Sequence, residues 1–190
     1  YGANTKLPFS VDDAVDHPMS LYAVTKRANE LMSECYTRLF QIPLTGLRFF
    51  TVYGPWGRPD MSAFIFTKAI LADKEMPVFN QGKMRRNFTY IDDIVNGVLG
   101  CLDAPTSQPS HRLYNIGNDK SESLMRFIEV IETCLGKKAK IRFEPLQPGD
   151  VPETIADIEA TRTDFGFTPK TNIEEGLSHF VQWYRSYYKD

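Results

Sequence analysis

The chain has 190 residues, the length of one to about one-and-a-half domains, and 42% hydrophobic with 13% aromatic content is enough to build a core, which excludes general disorder. Lys and Arg total 22 against 24 Asp and Glu, a formal net charge of -2, which argues against a protein organised around non-specific nucleic-acid binding. No apolar run approaches the roughly 18 residues of a membrane span.

The chain opens on Tyr1-Gly2-Ala3-Asn4, with no initiator Met, basic start or apolar leader, so no signal peptide is expected and the sequence reads as a fragment. Ser20 to about Phe40 predicts a long helix. Ser20 can cap it, Pro18 lies just outside, Pro43 marks the stop, and Ala28, Leu31, Cys35 and Leu39 recur at helical spacing. Leu44–Phe50, with Gly46 inside it, reads as a short buried strand, and Ala63–Ala72 as a second helix. Pro77–Phe79 and Asn87–Ile91 read as short strands flanking a polar Asn80–Arg86 tip, the cationic end of a hairpin. Asp92 and Asp93 suit the positive end of a helix running to about Leu102. Leu113–Ile116 is a strand, Leu124–Leu135 a helix stopped by Gly136, and Lys140–Glu144 another strand. Thr171-Asn172-Ile173-Glu174 has capping-box spacing before a last helix carrying Leu177, Val181, Tyr184 and Tyr188 on one face.

Turn-rich stretches fall at Gly54–Asp60, Asn80–Lys83, Pro105–Ser110 and Pro145–Asp150. None is long enough for a linker, so one compact α/β body is expected. Cys35, Cys101 and Cys134 are odd in number and dispersed, as are His17, His111 and His179. Neither a disulfide framework nor a local zinc site is expected, and a reducing, cytoplasmic setting fits.

Chemistry concentrates at Tyr22 and Lys26, four apart and therefore on one helical face. A phenol ionises near pH 10, and a fixed ammonium beside it favours the phenolate. Bringing such a group to about pH 7 takes about 4 kcal/mol, more than one exposed ion pair supplies, so a second positive charge would have to help. On spacing alone the pair also fits an ordinary helix surface. No GxGxxG and no Walker-type loop occurs in the sequence.

The wider string narrows this. Tyr1-Gly2 stands 21 residues before Tyr22, Ser20-Leu21-Tyr22-Ala23-Val24-Thr25-Lys26 follows, and Leu47-Arg48-Phe49-Phe50-Thr51-Val52-Tyr53-Gly54-Pro55 comes one strand later. Together they resemble the extended short-chain dehydrogenase/reductase superfamily, specifically its NAD-dependent nucleotide-sugar epimerases and dehydratases. The stretch through Trp56-Gly57-Arg58-Pro59-Asp60-Met61 is most similar to UDP-glucuronate 4-epimerases.

The resemblance implies an α/β fold comprising the C-terminal part of a Rossmann-type parallel sheet plus a smaller α/β substrate-binding domain. Residues 1–55 would belong to the NAD-binding part. Residues 56–190 would be mainly the nucleotide-sugar domain, with some return to the sheet. It implies a UDP-sugar substrate, NAD as cofactor, no nucleic-acid or membrane partner, and a homodimer in the full-length protein built on the helix from Ser20, with Cys35 and Leu39 at the interface.

Tyr22 would be the catalytic base and Lys26 its partner, also holding the nicotinamide ribose. Phe50 and Val52 would line the nicotinamide side. Thr51 would contact the sugar, and Arg58 its carboxylate or the diphosphate, with a plain turn arginine as the alternative. Phe79 would pack on uracil, Arg86 would bind the diphosphate, and Gln147 and Asp150 would belong to the nucleotide loop, Asp150 accepting from ribose. Asn87 stands where the family has Asp, which puts that residue's ion pair in question. The family's catalytic Ser or Thr and its Gly-rich loop would precede Tyr1, so these 190 residues by themselves are expected to be inactive.

Overall fold

The structure, a computed structural model, describes residues 1–104 and 110–189. Of the turn-rich stretch at 105–110, only Ser110 falls within them. Ser20 caps α1 (Leu21–Phe40) by accepting a hydrogen bond from the Ala23 amide, and the helix ends on Gln41 in a left-handed conformation, before Pro43. There follow β1 (Leu44–Phe49), β2 (Thr51–Tyr53), α2 (Ser62–Leu71), β3 (Glu75–Val78), a 3-10 turn at Asn80–Gly82, β4 (Arg85–Arg86), β5 (Phe88–Tyr90) and α3 (Ile91–Asp103). The remainder is β6 (His111–Ile116), β7 (Glu122–Ser123), α4 (Leu124–Leu135), β8 (Lys140–Phe143), α5 (Glu159–Phe165) and α6 (Ile173–Tyr188).

Strand pairing is parallel in three of the four pairs: β1 with β6, β2 with β5, and β3 with β8; β4 and β7 pair antiparallel. This is the α/β class expected from the alternation of elements. β1 and β2 form one extended run that changes partner at Phe50. Phe49 lies opposite Ile116, the Phe50 amide donates to the Ile116 carbonyl, and Thr51 already faces Phe88. The crossover is tight at Gly117, where an added Cβ would collide with Asn87 Oδ1 and press on Phe50.

Two apolar clusters hold the elements. The larger wraps α2, α4 and α6 around β3 and β5, with the Phe88 and Phe127 rings stacked 3.9 Å apart beside fully buried Ile131, Leu177 and Phe180. The smaller, beneath β1 and β6, contains Ile94, Ile116, Ala156, Ile158 and Phe167.

The stripe Ala28, Leu31, Cys35 and Leu39 of α1 faces outward, and the Arg27, Glu30 and Thr37 side turns to the body, where Arg48 of β1 partners Glu30. Several local expectations are corrected. β1 is half-buried rather than buried, and Phe49 is 53% exposed. The segments around Asn80–Arg86 are not the two arms of a hairpin, since β3 and β5 pair with β8 and β2. The cap of α6 is Asn172, accepting from the Glu175 amide; the Thr171 amide is engaged by the Asp93 carboxylate. Tyr188 is exposed, and Gly176 and Phe180 complete the buried face of α6.

Candidate active site

Because α1 is capped one residue before Leu21, Tyr22 and Lys26 sit in its first two turns, at the end nearest the β1–β2 crossover. Lys26 Nζ lies 5.3 Å from the Tyr22 ring centroid, within cation–π range. Among the described residues Lys26 has no carboxylate partner. The phenol is 67% exposed and opens into a cleft of about 690 Å³ lined also by Phe50, Thr51, Met61, Val151 and Thr154. The cleft runs along β1, whose edge away from β6 carries no strand among the described residues.

Four of the ten expected site residues therefore meet in one place: Tyr22, Lys26, Phe50 and Thr51. Val52 does not line the cleft; its side chain packs, as that of Phe50 also does, against the smaller apolar cluster. Arg58 is exposed, with its Nε and Nη2 on the two carboxylate oxygens of Asp60 at 3.0 and 2.5 Å. Phe79 is half-buried at the start of the 3-10 turn, and Gln147 is exposed; neither lines the cleft.

Arg86 and Asp150 are brought together, 64 residues apart in sequence, as an ion pair at 2.7 Å. Arg86 also donates to the Pro152 carbonyl at 3.2 Å, and the Val151 amide donates to Asp150 at 2.9 Å. Burial lowers the Arg86 guanidinium from its ordinary value, partly offset by Asp150. The pair ties β4 to the loop whose Val151 and Thr154 line the cleft. Asn87 makes no ion pair; buried, it donates to the carbonyls of Asn118 and Lys120 and so anchors the turn after β6.

Sequence reasoning missed a polar network along the wall of the cleft. Arg48 of β1 grips Glu30 of α1 through Nε at 2.7 Å and Nη2 at 3.0 Å, and Arg27 joins at 3.1 Å and reaches Asp16 at 3.3 Å. The Arg48 guanidinium also lies 5.0 Å from the Tyr1 ring centroid, while the Tyr1 hydroxyl donates to Asn115 Oδ1. Glu30 and Arg48 belong to different elements, and no spacing rule couples them. Burial works against ionisation of Glu30, but the hydrogen bonds and charge of Arg48 and Arg27 outweigh it and hold the carboxyl below the usual carboxylate range. A depressed folded-state pKa contributes stability above the unfolded value, about 4.3, which is lost as pH falls through the folded value. Glu30→Gln is therefore expected to cost about 1–3 kcal/mol at neutral pH, from a guanidinium left with a weaker acceptor. That cost should shrink as pH falls below the unfolded value and on through the lower folded value, where the parent loses the ion pair too. Urea midpoints from pH 3 to 8 test this, and parallel curves for the two proteins would count against it.

An α/β fold whose first helix presents a Tyr-x-x-x-Lys pair to a cleft beside parallel strands is of the short-chain dehydrogenase/reductase type. Residues 1–117 match the NAD dependent epimerase/dehydratase family, and the chain belongs to that family. It is 50% identical to protein CapI of Staphylococcus aureus, covering 100% of this chain and 61% of CapI. It is 45% identical to UDP-glucuronate 4-epimerase 2 of Arabidopsis thaliana, covering 100% of this chain and 47% of the plant protein. The solved UDP-glucuronic acid 4-epimerase from Bacillus cereus, in complex with UDP-glucuronic acid and NAD, superposes with a TM-score of 0.86 at 33% identity over 95% of this chain and 58% of that one. The chain thus spans between 47% and 61% of the length of these relatives.

Proposed function

We propose that the full-length protein carrying this chain is an NAD-dependent C4 epimerase of a UDP-sugar, interconverting UDP-glucuronate and UDP-galacturonate. The observation that carries this reading is the placement of Tyr22, Lys26, Phe50 and Thr51 around one cleft. The likeness to the Arabidopsis and Bacillus enzymes supports the choice of sugar.

The residues present suit the nicotinamide half of NAD. Lys26 offers an ammonium without a carboxylate partner among the described residues, and Phe50 an apolar wall. When bound, NAD supplies hydride acceptance and return at the sugar C4. Tyr22 takes the C4 hydroxyl proton on its phenol oxygen and returns it after the 4-keto sugar has turned over in the pocket. Lys26, one helical turn away, stabilises the phenolate and holds the ribose. Thr51 orients the sugar, and Arg58 binds the sugar carboxylate with its planar fork, which requires it to exchange the two-point contact with Asp60 for that ligand. Phe79, Arg86, Gln147 and Asp150 hold the nucleotide, which requires Arg86 and Asp150 to exchange their mutual ion pair for uridine diphosphate contacts.

The segment corresponds on this reading to the C-terminal part of the protein: residues 1–55 complete the cofactor half and residues 56–190 form mainly the substrate half. A homodimer in a cytoplasmic setting completes the proposal. The exposed apolar stripe of α1, including Leu21, Val24, Leu31, Met32 and Leu39, supports the dimer.

Product analysis tests the reaction. Full-length protein with NAD and UDP-glucuronate should yield UDP-galacturonate, with no loss of water or carbon dioxide. A 4-keto-6-deoxy product or a UDP-pentose would replace this reading with a dehydratase or a decarboxylase. The 190 residues alone, which contain no GxGxxG loop, should not turn over.

A further inference from the structure

The turn after β2 carries a residue that its backbone does not favour. The Gly57 amide donates to the Gly54 carbonyl at 3.1 Å, closing a four-residue turn with Pro55 second and Trp56 third. Trp56 has φ +63°, the positive value that the third position of a type II turn demands and that normally selects Gly or Asn. A bulky side chain there is a strained choice, so something outside the turn must hold it. The indole is 72% exposed and adds little to the core. Its ring nevertheless stands edge-on to Tyr187 at 5.0 Å and tilted on Trp183 at 5.4 Å, both in α6. Trp183 and Tyr187 are themselves stacked at 5.6 Å, and Trp183 packs against the larger core cluster. The turn is thereby fastened to α6, whose inner face lies in the larger core cluster.

Two residues later comes Arg58, whose guanidinium makes a two-point contact with the Asp60 carboxylate, the same geometry that a substrate carboxylate would take in exchange. The Met61 amide closes onto the Arg58 carbonyl at 3.1 Å, and Met61 lines the cleft. The loop therefore runs from an aromatic anchor, through a cation, to the cleft wall.

We propose that Trp56 is a positioning residue: docked on Trp183 and Tyr187, it fixes the Gly54–Met61 loop so that Arg58 meets a substrate carboxylate at the Tyr22 end of the cleft. This rests on the reading of Arg58 as the carboxylate ligand. The strained turn and its docking define the role. A turn needed only for chain reversal would be better served by Gly, which adopts positive φ without cost.

That contrast supplies the test, in the full-length protein with NAD. Trp56→Gly keeps the turn's favoured backbone and removes the anchor. It should raise KM for UDP-glucuronate about three- to tenfold, with the inhibition constant of UDP, which has no carboxylate, within about twofold of the parent. Trp56→Phe, which keeps a ring in the dock, should restore most of the loss. Arg58→Ala should raise the same KM about 10- to 100-fold and also spare UDP. An Arg58→Ala variant with unchanged KM removes the carboxylate reading and this proposal with it. A selective Arg58→Ala effect alongside a Trp56→Gly variant that is unchanged, or that weakens UDP and UDP-glucuronate equally, overturns the role of Trp56 alone.

Discussion

Tyr22→Phe in the full-length protein is expected to cut epimerase turnover about 10²- to 10⁴-fold, the range over which a positioned acid–base group acts, and to leave UDP binding intact. The substitution removes one oxygen from an aromatic residue that is 67% exposed and whose ring faces the Lys26 ammonium. Stability should move by no more than about 0.5 kcal/mol, as for other surface changes away from special features. A fall in activity therefore cannot be traced to unfolding. The phenol's neighbour survives in the variant, because cation–π attraction acts on the ring and not on the hydroxyl. On the proposed mechanism Lys26 keeps its place and its hold on the cofactor ribose, and what is lost is the atom proposed to accept the C4 proton. Turnover and UDP affinity measured side by side decide the matter. Activity within about tenfold of the parent would remove Tyr22 from the proton-transfer step.

What could be read from the chain follows the range of the forces involved. Ser20, Gly136 and the i, i+4 pair Tyr22 and Lys26 are local chemistry, and their helices and shared face appear where the sequence puts them. The inward face of α1 is a tertiary matter. Helical spacing groups its apolar residues on one face but does not say which face turns inward; the ion pair between Glu30 and Arg48 draws the other side to the body, and no hydrophobic period reports on that. Strand partners are likewise non-local. β3 seeks β8 and β5 seeks β2, so the basic tip between β3 and β5 resembles a hairpin end without being one.

The helix α5 escaped the sequence reading altogether. It has only seven residues, too few to show a period, although Gly166 in the left-handed region marks its end. Its buried Thr161 donates to the Asn115 carbonyl at 2.6 Å, which places it as tertiary support for β6. At the site, the family-type motifs located the Tyr22, Lys26, Phe50 and Thr51 grouping. They could not foretell that Arg86 and Asp150 would find each other, because that contact depends on how the loop after β8 folds back onto β4.

The largest loss of stability is expected at Phe127. Its ring is fully buried, stacks on Phe88 at 3.9 Å and meets the edge of Tyr53 at 5.5 Å, so truncation removes contacts that no neighbour can replace by a simple rotamer change. Phe127→Ala should cost about 3–5 kcal/mol, the transfer of a phenyl ring plus the cavity it leaves. At about 2–4 °C per kcal/mol for a domain of this size, Tm should fall by about 6–20 °C. The effect should reach the site as well. Phe88 belongs to β5, β5 holds β2 in register from Thr51 to Tyr53, and Thr51 lines the cleft. A cavity behind Phe88 loosens that register from the core side. Phe127→Leu refills part of the space and should recover more than half of the lost stability, since part of the cost is the void itself. Thermal and urea unfolding of the full-length variants measure both. A loss below about 1 kcal/mol for Phe127→Ala would mean that α4 and β5 are not packed through this stack, and the path from the larger core to Thr51 would have to be abandoned.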